Sequence, residues 1–209
     1  MATDDRNLGL RPRPGRSTRL ALSDAALALA FEHGLENVRR EDIAARAGVS
    51  TRTLANYFAS KYEAIGYRQV ERIQRGVAML DAYPADQPLW TAISASLVEP
   101  LATDGADQPP TPEQLVEIRK LFDAPEWQGS MMRRVFGPEG ELAAVVARRT
   151  GTDPAADLYP RLVAGAVGVA VQVAFEAYAH SDPPQPVTEL LRDALAEIAA
   201  GLPDPSGGQ

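Results

Sequence analysis

Residues 39–61 read RREDIAARAGVSTRTLANYFASK, and the spacing within them decides the fold. Glu41 and Asp42 suit the positive end of a helix, Ile43 and Ala47 share its buried face one turn apart, and Gly48 stops it. Val49 can then plug the core while Ser50 caps a second short helix, on which Leu54 and Phe58 face inward at i and i+4. Two short helices joined by a glycine-centred turn make a helix-turn-helix. Its second helix turns Thr51, Arg52, Thr53, Asn56 and Tyr57 outward. Such side chains can read base edges or hold phosphates, with Arg suited to guanine and Asn to adenine. Ser60-Lys61-Tyr62-Glu63 has the form of a capping box, so a new helix starts there with Lys61 exposed in its first turn. A cation at a helix N-terminus is unfavourable unless an anion is near, and a DNA phosphate would supply one.

Working outward, helical periodicity dominates and no run of alternating β-branched residues stands out, so the chain reads as all-α. A helix is expected from about Thr18 to His33, stopped by Gly34, with Leu22, Ala26, Leu29 and Ala30 on one stripe and Leu20, Leu27 and Phe31 on a neighbouring one. Before it, the segment to Gly15 reads as a polar tail in which Arg11 and Arg13 lead into Arg16 and Arg19. Breaks rich in Pro, Gly and Asp at 83–88, 103–112, 150–154 and 181–186 divide the remainder into helices near 60–81, 89–103, 112–123, 126–149, 155–180 and 187–200. About nine helices follow, with flexible tails at 1–15 and 203–209.

Composition narrows the function classes. Hydrophobic residues at 45% and charged residues at 23% describe a globular chain able to bury a core. With no cysteine and only His33 and His180, thiolate metal sites and a nucleophile-histidine triad have little to build on, so no enzyme, metal or cofactor is expected. The apolar run at 162–175 is shorter than the roughly 20 residues a membrane span needs, and it is expected to be a buried helix. The opening residues lack the apolar core of a secretory signal, and a cytoplasmic location is expected. The net charge of −7 is segregated: residues 1–62 carry ten Arg and Lys against seven Asp and Glu, and the remainder eleven against twenty-one. A basic end on an acidic body fits a chain that meets phosphates at one end only.

The stretch IAARAGVSTRTLANYFASKYEAI resembles the signature of tetracycline-repressor-type (TetR) regulators, usually of the form IAxxAGVSxxTLYxYFxSKExL, over about residues 16–65. The resemblance implies an N-terminal three-helix DNA-binding domain, about 16–76, and a C-terminal effector-binding and dimerisation domain, about 77–202. It implies a homodimer on a palindromic double-stranded DNA operator, released by a small molecule, with repression the family's commoner habit. Arg16, Arg39, Arg40, Ser50, Thr51, Arg52, Thr53, Asn56, Tyr57 and Lys61 fall on recognition-helix and phosphate-clamp positions. Two residues depart from the pattern. Arg39 stands where the family usually caps with Thr, and Ala55 replaces the first aromatic, leaving Tyr57 as the clamp's one tyrosine.

Beyond about Tyr83 the resemblance is one of architecture. It implies a dimer built from the last two long helices, where Ala164, Gly165, Gly168 and Ala174 permit close approach and Leu190, Leu191, Leu195 and Ile198 form an apolar face. An effector cavity is expected among the middle helices, with Trp90, Phe122, Trp127, Met131, Phe175 and Tyr178 as apolar lining and Arg134 as a cation for an acidic head. That composition suits an apolar or acyl-type effector. The competing reading is a small-molecule-binding or adaptor protein on the same scaffold that binds no operator.

Overall fold

A computed structural model of the chain describes residues 14–127, 135–136 and 140–204. Among these residues there is no strand; nine α-helices and one 3-10 helix follow one another, and residues 125–127 and 135–136 are helical as well. The first helix, α1 (Pro14–His33), starts one turn earlier than its polar sequence suggests, with proline as its first residue, where the missing N–H costs nothing. The rest of the expected N-terminal arm and residues 205–209 lie outside the described residues. Leu22, Ala26, Leu29 and Ala30 of α1 are buried as their period requires. A 3-10 turn, Leu35–Asn37, leads into α2 (Arg40–Arg46) and α3 (Thr51–Tyr57). Between these two helices Gly48 adopts φ +68°, a left-handed conformation that a side chain disfavours and that turns the chain sharply. Leu54 and Phe58 sit beneath α3, each 1% exposed. Burying each contributes about 1.5–3 kcal/mol.

The 20-residue α4 (Lys61–Leu80) connects the two halves of the molecule. At 1.5 Å per residue it is about 30 Å long, so its first turns complete the helix-turn-helix unit while its remainder packs against α5 (Leu89–Thr103). An ion network ties α1, α4 and α5 together. Buried Glu71 pairs with Arg16 and with Arg75, and Asp104 at the end of α5 pairs with Arg75 and Arg72. Burial opposes ionisation of Asp104, but the two guanidinium groups outweigh it and hold its pKa below the ordinary aspartate value. The next helix, α6 (Pro112–Asp123), begins with a complete capping box in which Thr111 and Gln114 exchange bonds.

The helix expected over 126–149 is interrupted. Gly140 is extended, at φ −74° and ψ 160°, and starts a separate α7 (Glu141–Thr150). Then come α8 (Leu158–His180) and α9 (Val187–Ala199). By length and composition α8 could cross a membrane. In the fold, however, Val163, Ala164, Val167, Val171 and Ala174 are buried, and α6, α7 and α9 pack against the helix. Its other face is a different matter: Leu158, Leu162, Val169 and Val173 are between 51% and 69% exposed.

These contacts correct the expected dimer surface. Leu191 and Leu195 are 0% and 1% exposed, turned into the core where α9 packs on α8 and α5. Ala164 and Ala174 are buried too, and a Cβ on Gly168 would lie 2.9 Å from the Phe136 Cβ, so that glycine makes room within the chain. Gly165 alone of the four small residues faces open space. An amphipathic period identifies an apolar face without saying whether the partner lies in the same chain or another.

Candidate nucleic-acid interface and effector cavity

Ser50 accepts a hydrogen bond from the Thr53 amide at 3.0 Å and so caps α3 at its N-terminus. The other end is secured by Arg40, whose guanidinium donates to the carbonyls of Phe58 at 3.0 Å and Ala59 at 2.9 Å. That fork joins the start of α2 to the end of α3 and fixes their angle, with carbonyls that a helix end leaves unpaired as its acceptors. On this rigid frame Thr51, Arg52 and Asn56 stand exposed together, and Arg39 is exposed at the N-cap of α2 with no side-chain capping bond.

The other expected DNA ligands are engaged within the chain. Thr53 is half-buried, with its hydroxyl 2.9 Å from that of Ser50. Tyr57 is half-buried beneath Arg19, whose guanidinium lies 5.6 Å from its ring centre and 6.0 Å from that of Tyr67. Arg16 is paired with Glu71. Lys61, expected to be exposed, is half-buried, and its ammonium donates to the carbonyls of Leu35 at 2.9 Å and Glu36 at 3.1 Å. Those carbonyls, rather than a phosphate, answer the charge at the start of α4. The capping motif there is half as expected. Ser60 accepts from the Glu63 amide at 3.1 Å, while Glu63 reaches back to the Ala59 amide at 2.8 Å. Sequence reasoning missed Arg19 as a clasp between α3 and α4. Its spacing from Tyr57 across three helices leaves no local signal.

A cavity of about 140 Å³ lies where the helix-turn-helix unit meets the rest of the chain. Leu27 and Phe31 of α1 and Ile65 and Gly66 of α4 form one side, and Ile118, Leu121 and Phe122 of α6 with Phe175 and Tyr178 of α8 form the other. Trp127 closes it, tilted against Phe122 at 6.3 Å between centres. The indole lies on the backbone of α4: a Cβ on Gly66 would be 2.1 Å from it. Phe122, Trp127, Phe175 and Tyr178 are thus brought together, as expected. Trp90 is not. It is half-buried in a separate groove between α5 and α9, beside Ser94 and Arg192. Met131 and Arg134 lie outside the described residues.

One contact links the cavity wall to the helix-turn-helix unit. Glu117, on the same helix as Ile118 and Phe122, accepts a hydrogen bond from the Leu35 amide at 2.6 Å and pairs with Lys120 at 2.7 Å. Burial opposes ionisation of Glu117, but Lys120 and the Leu35 amide outweigh it, so its pKa lies below the ordinary glutamate value. Leu35 is therefore held twice, at its N–H by α6 and at its carbonyl by Lys61 of α4.

Comparison with known proteins agrees with this architecture. The family model for bacterial regulatory proteins of the tetR family matches residues 22–64, and the one described as the MftR C-terminal domain matches residues 87–203. The chain is 33% identical to a protein of Mycobacterium tuberculosis described as the mycofactocin biosynthesis transcriptional regulator MftR, over 87% of this chain and 89% of that one. It is 31% identical to the HTH-type transcriptional regulator TcmR of Streptomyces glaucescens, over 74% and 70% of the two chains. In fold it is similar to Thermus thermophilus FadR, a TetR family transcriptional repressor solved with lauroyl-CoA. The TM-score is 0.57 and the identity 17%, over 91% of this chain and 100% of that one.

Proposed function

The chain belongs to the TetR family of bacterial transcriptional regulators, and on that basis we propose that it is a cytoplasmic, homodimeric repressor that binds a palindromic operator and is released by a small apolar effector. One observation carries this reading: α3 is pinned at both ends and presents Thr51, Arg52 and Asn56 together to solvent. A short helix so held enters a major groove with its side chains already placed. Residues 16–76 form the DNA-binding unit and 77–202 the effector-binding and dimerising unit. Dimerisation uses the exposed face of α8, where Leu158, Leu162, Val169 and Val173 make an apolar strip that a lone chain would leave in water. A partner placing its own copy on the same strip gives the two-fold symmetry that a palindrome requires.

Titrating the protein against DNA upstream of its own gene tests the proposal. A single shifted complex is expected at a dissociation constant below about 0.1 μM, protecting an inverted repeat. An adaptor on the same scaffold would bind that DNA no better than random sequence.

Effector release runs through α6. A ligand entering between Phe122 and Ile65 displaces α6 relative to α4 and alters the grip of Glu117 on Leu35, which carries the helix-turn-helix unit with it. An acyl-type effector remains compatible with the apolar walls, and FadR of T. thermophilus was solved with an acyl thioester. Glu117→Ala leaves the part-buried Leu35 amide without its acceptor, at a cost of about 1–3 kcal/mol. We expect a lower melting temperature together with a several-fold change in operator affinity, although α6 touches no DNA. Lowered melting with unchanged operator affinity would reduce Glu117 to a structural brace.

A further inference from the structure

Most cations of the DNA-binding unit are matched within the chain. Arg46 is paired with Glu32, Arg68 with Asp24 and Arg16 with Glu71, while Arg40 and Lys61 donate to main-chain carbonyls. Arg19 differs. Among the described residues its guanidinium meets no carboxylate and no hydrogen-bond acceptor; two rings hold it instead, with its central carbon 5.6 Å from the centre of Tyr57 and 6.0 Å from that of Tyr67. Both lie within the roughly 6 Å at which a ring face attracts a cation, an attraction that fixes the side chain without neutralising it. The Nε of Arg19 is shielded, so its remaining bonding capacity sits on the terminal nitrogens, and the half-buried side chain borders an open recess between α1 and α4. A guanidinium is planar and weakly hydrated, and its terminal N–H groups fit the oxygens of a phosphate. Position supplies such a partner. Tyr57 is the last residue of α3 and follows Asn56, which is exposed. At seven residues α3 is about 10 Å long, while the major groove is about 12 Å wide, so a cation held at the end of the helix lies within reach of the phosphates that rim the groove.

We propose that the terminal nitrogens of Arg19 grip a backbone phosphate of the operator at the rim of the groove that α3 enters, with Tyr57 and Tyr67 holding the guanidinium in place before DNA arrives. This rests on α3 meeting DNA and adds a contact made from α1. Arg16, on the preceding turn of α1, is not available for the same task, because Glu71 already holds it. A backbone contact contributes affinity and register but no base preference.

The full chain is titrated with operator and with a random-sequence duplex of equal length over a series of salt concentrations, and the slope of log affinity against log salt is read. Arg19→Met keeps an apolar stem against the rings and removes the charge. It is expected to bind both duplexes several-fold more weakly and to make the slope shallower by about 0.9 for each protomer bound, since one fewer phosphate is neutralised. Arg19→Gln, a second neutral side chain, is read in the same way, so a folding defect in one variant does not decide the matter. Arg19→Lys retains the charge and is expected to keep the parent's slope. Melting and sedimentation show which samples are folded and in the parent's state of assembly. Neutral variants with the parent's slope, whatever their affinity, reduce Arg19 to a clasp between helices and overturn the proposal. So does a loss confined to the operator, which marks a disturbed α3, or a lysine variant whose slope falls like that of the neutral ones. Arg52→Ala and Asn56→Ala run alongside. If they relax base preference while the neutral Arg19 variants keep the parent's slope, the phosphate contact alone fails; if they change nothing while the neutral Arg19 variants flatten the slope, the reading of α3 fails and the phosphate contact stands.

Discussion

Val169→Asp yields a folded monomer whose affinity for the operator is lower by about a hundredfold or more. Val169 is 56% exposed at the middle of the α8 strip, so the substitution costs the isolated chain little and its melting temperature should hold. In a dimer the same carboxylate is buried against its symmetry mate, where an unpaired charge costs several kcal/mol. Two linked recognition helices bind more tightly than one by a factor of roughly 10² to 10⁴, and a monomer forfeits that factor. Sedimentation gives the mass and a mobility-shift titration gives the affinity. A variant that remains dimeric would place the interface elsewhere.

Leu195→Asp has a different outcome, although the family resemblance places Leu195 on the dimer face. At 1% exposure, with α9 packed on α5 and α8, it belongs to the core of one chain. Replacing a buried leucine forfeits about 2–5 kcal/mol of packing, and burying a carboxylate adds to that. Against a total stability of about 5–15 kcal/mol the variant loses most of its margin, so thermal melting should fall by about 10 °C or more, or no folded protein be recovered. A soluble monomer that melts like the parent would return Leu195 to the interface.

The contrast between these residues shows what the sequence discloses. The helix-turn-helix was legible because its determinants are local: Ser50 caps within three residues, Gly48 turns the chain where it stands, and Leu54 and Phe58 mark the buried side. The bounds of α5 and α6 were legible from the breaks rich in Pro, Gly and Asp at 83–88 and 103–112 for the same reason. Distant pairings escaped. Lys61 and Arg40 read as DNA contacts because each is a cation beside the motif, yet their acceptors are main-chain carbonyls about 20 residues or more away. Arg16 finds Glu71 across 55 residues. Four aromatic cavity residues could be named from their type and neighbourhood. Trp90 shares that type but lies on α5 against α9, a placement that only helix packing determines. Glu117 went unremarked, since a polar residue on an amphipathic helix reads as solvent-facing until its neighbours are known.

The central claim is that α3 reads DNA, and the most direct measurement is operator affinity as a function of salt for Arg52→Ala and Asn56→Ala beside the parent. Both residues are exposed, so folding should be unaffected. Each substitution is expected to cost about 1–3 kcal/mol on the operator, to relax preference at particular base pairs, and to leave nonspecific binding nearly unchanged. If both variants keep the parent's affinity, base preference and salt slope while remaining folded and dimeric, α3 is not the DNA-reading element and the account fails.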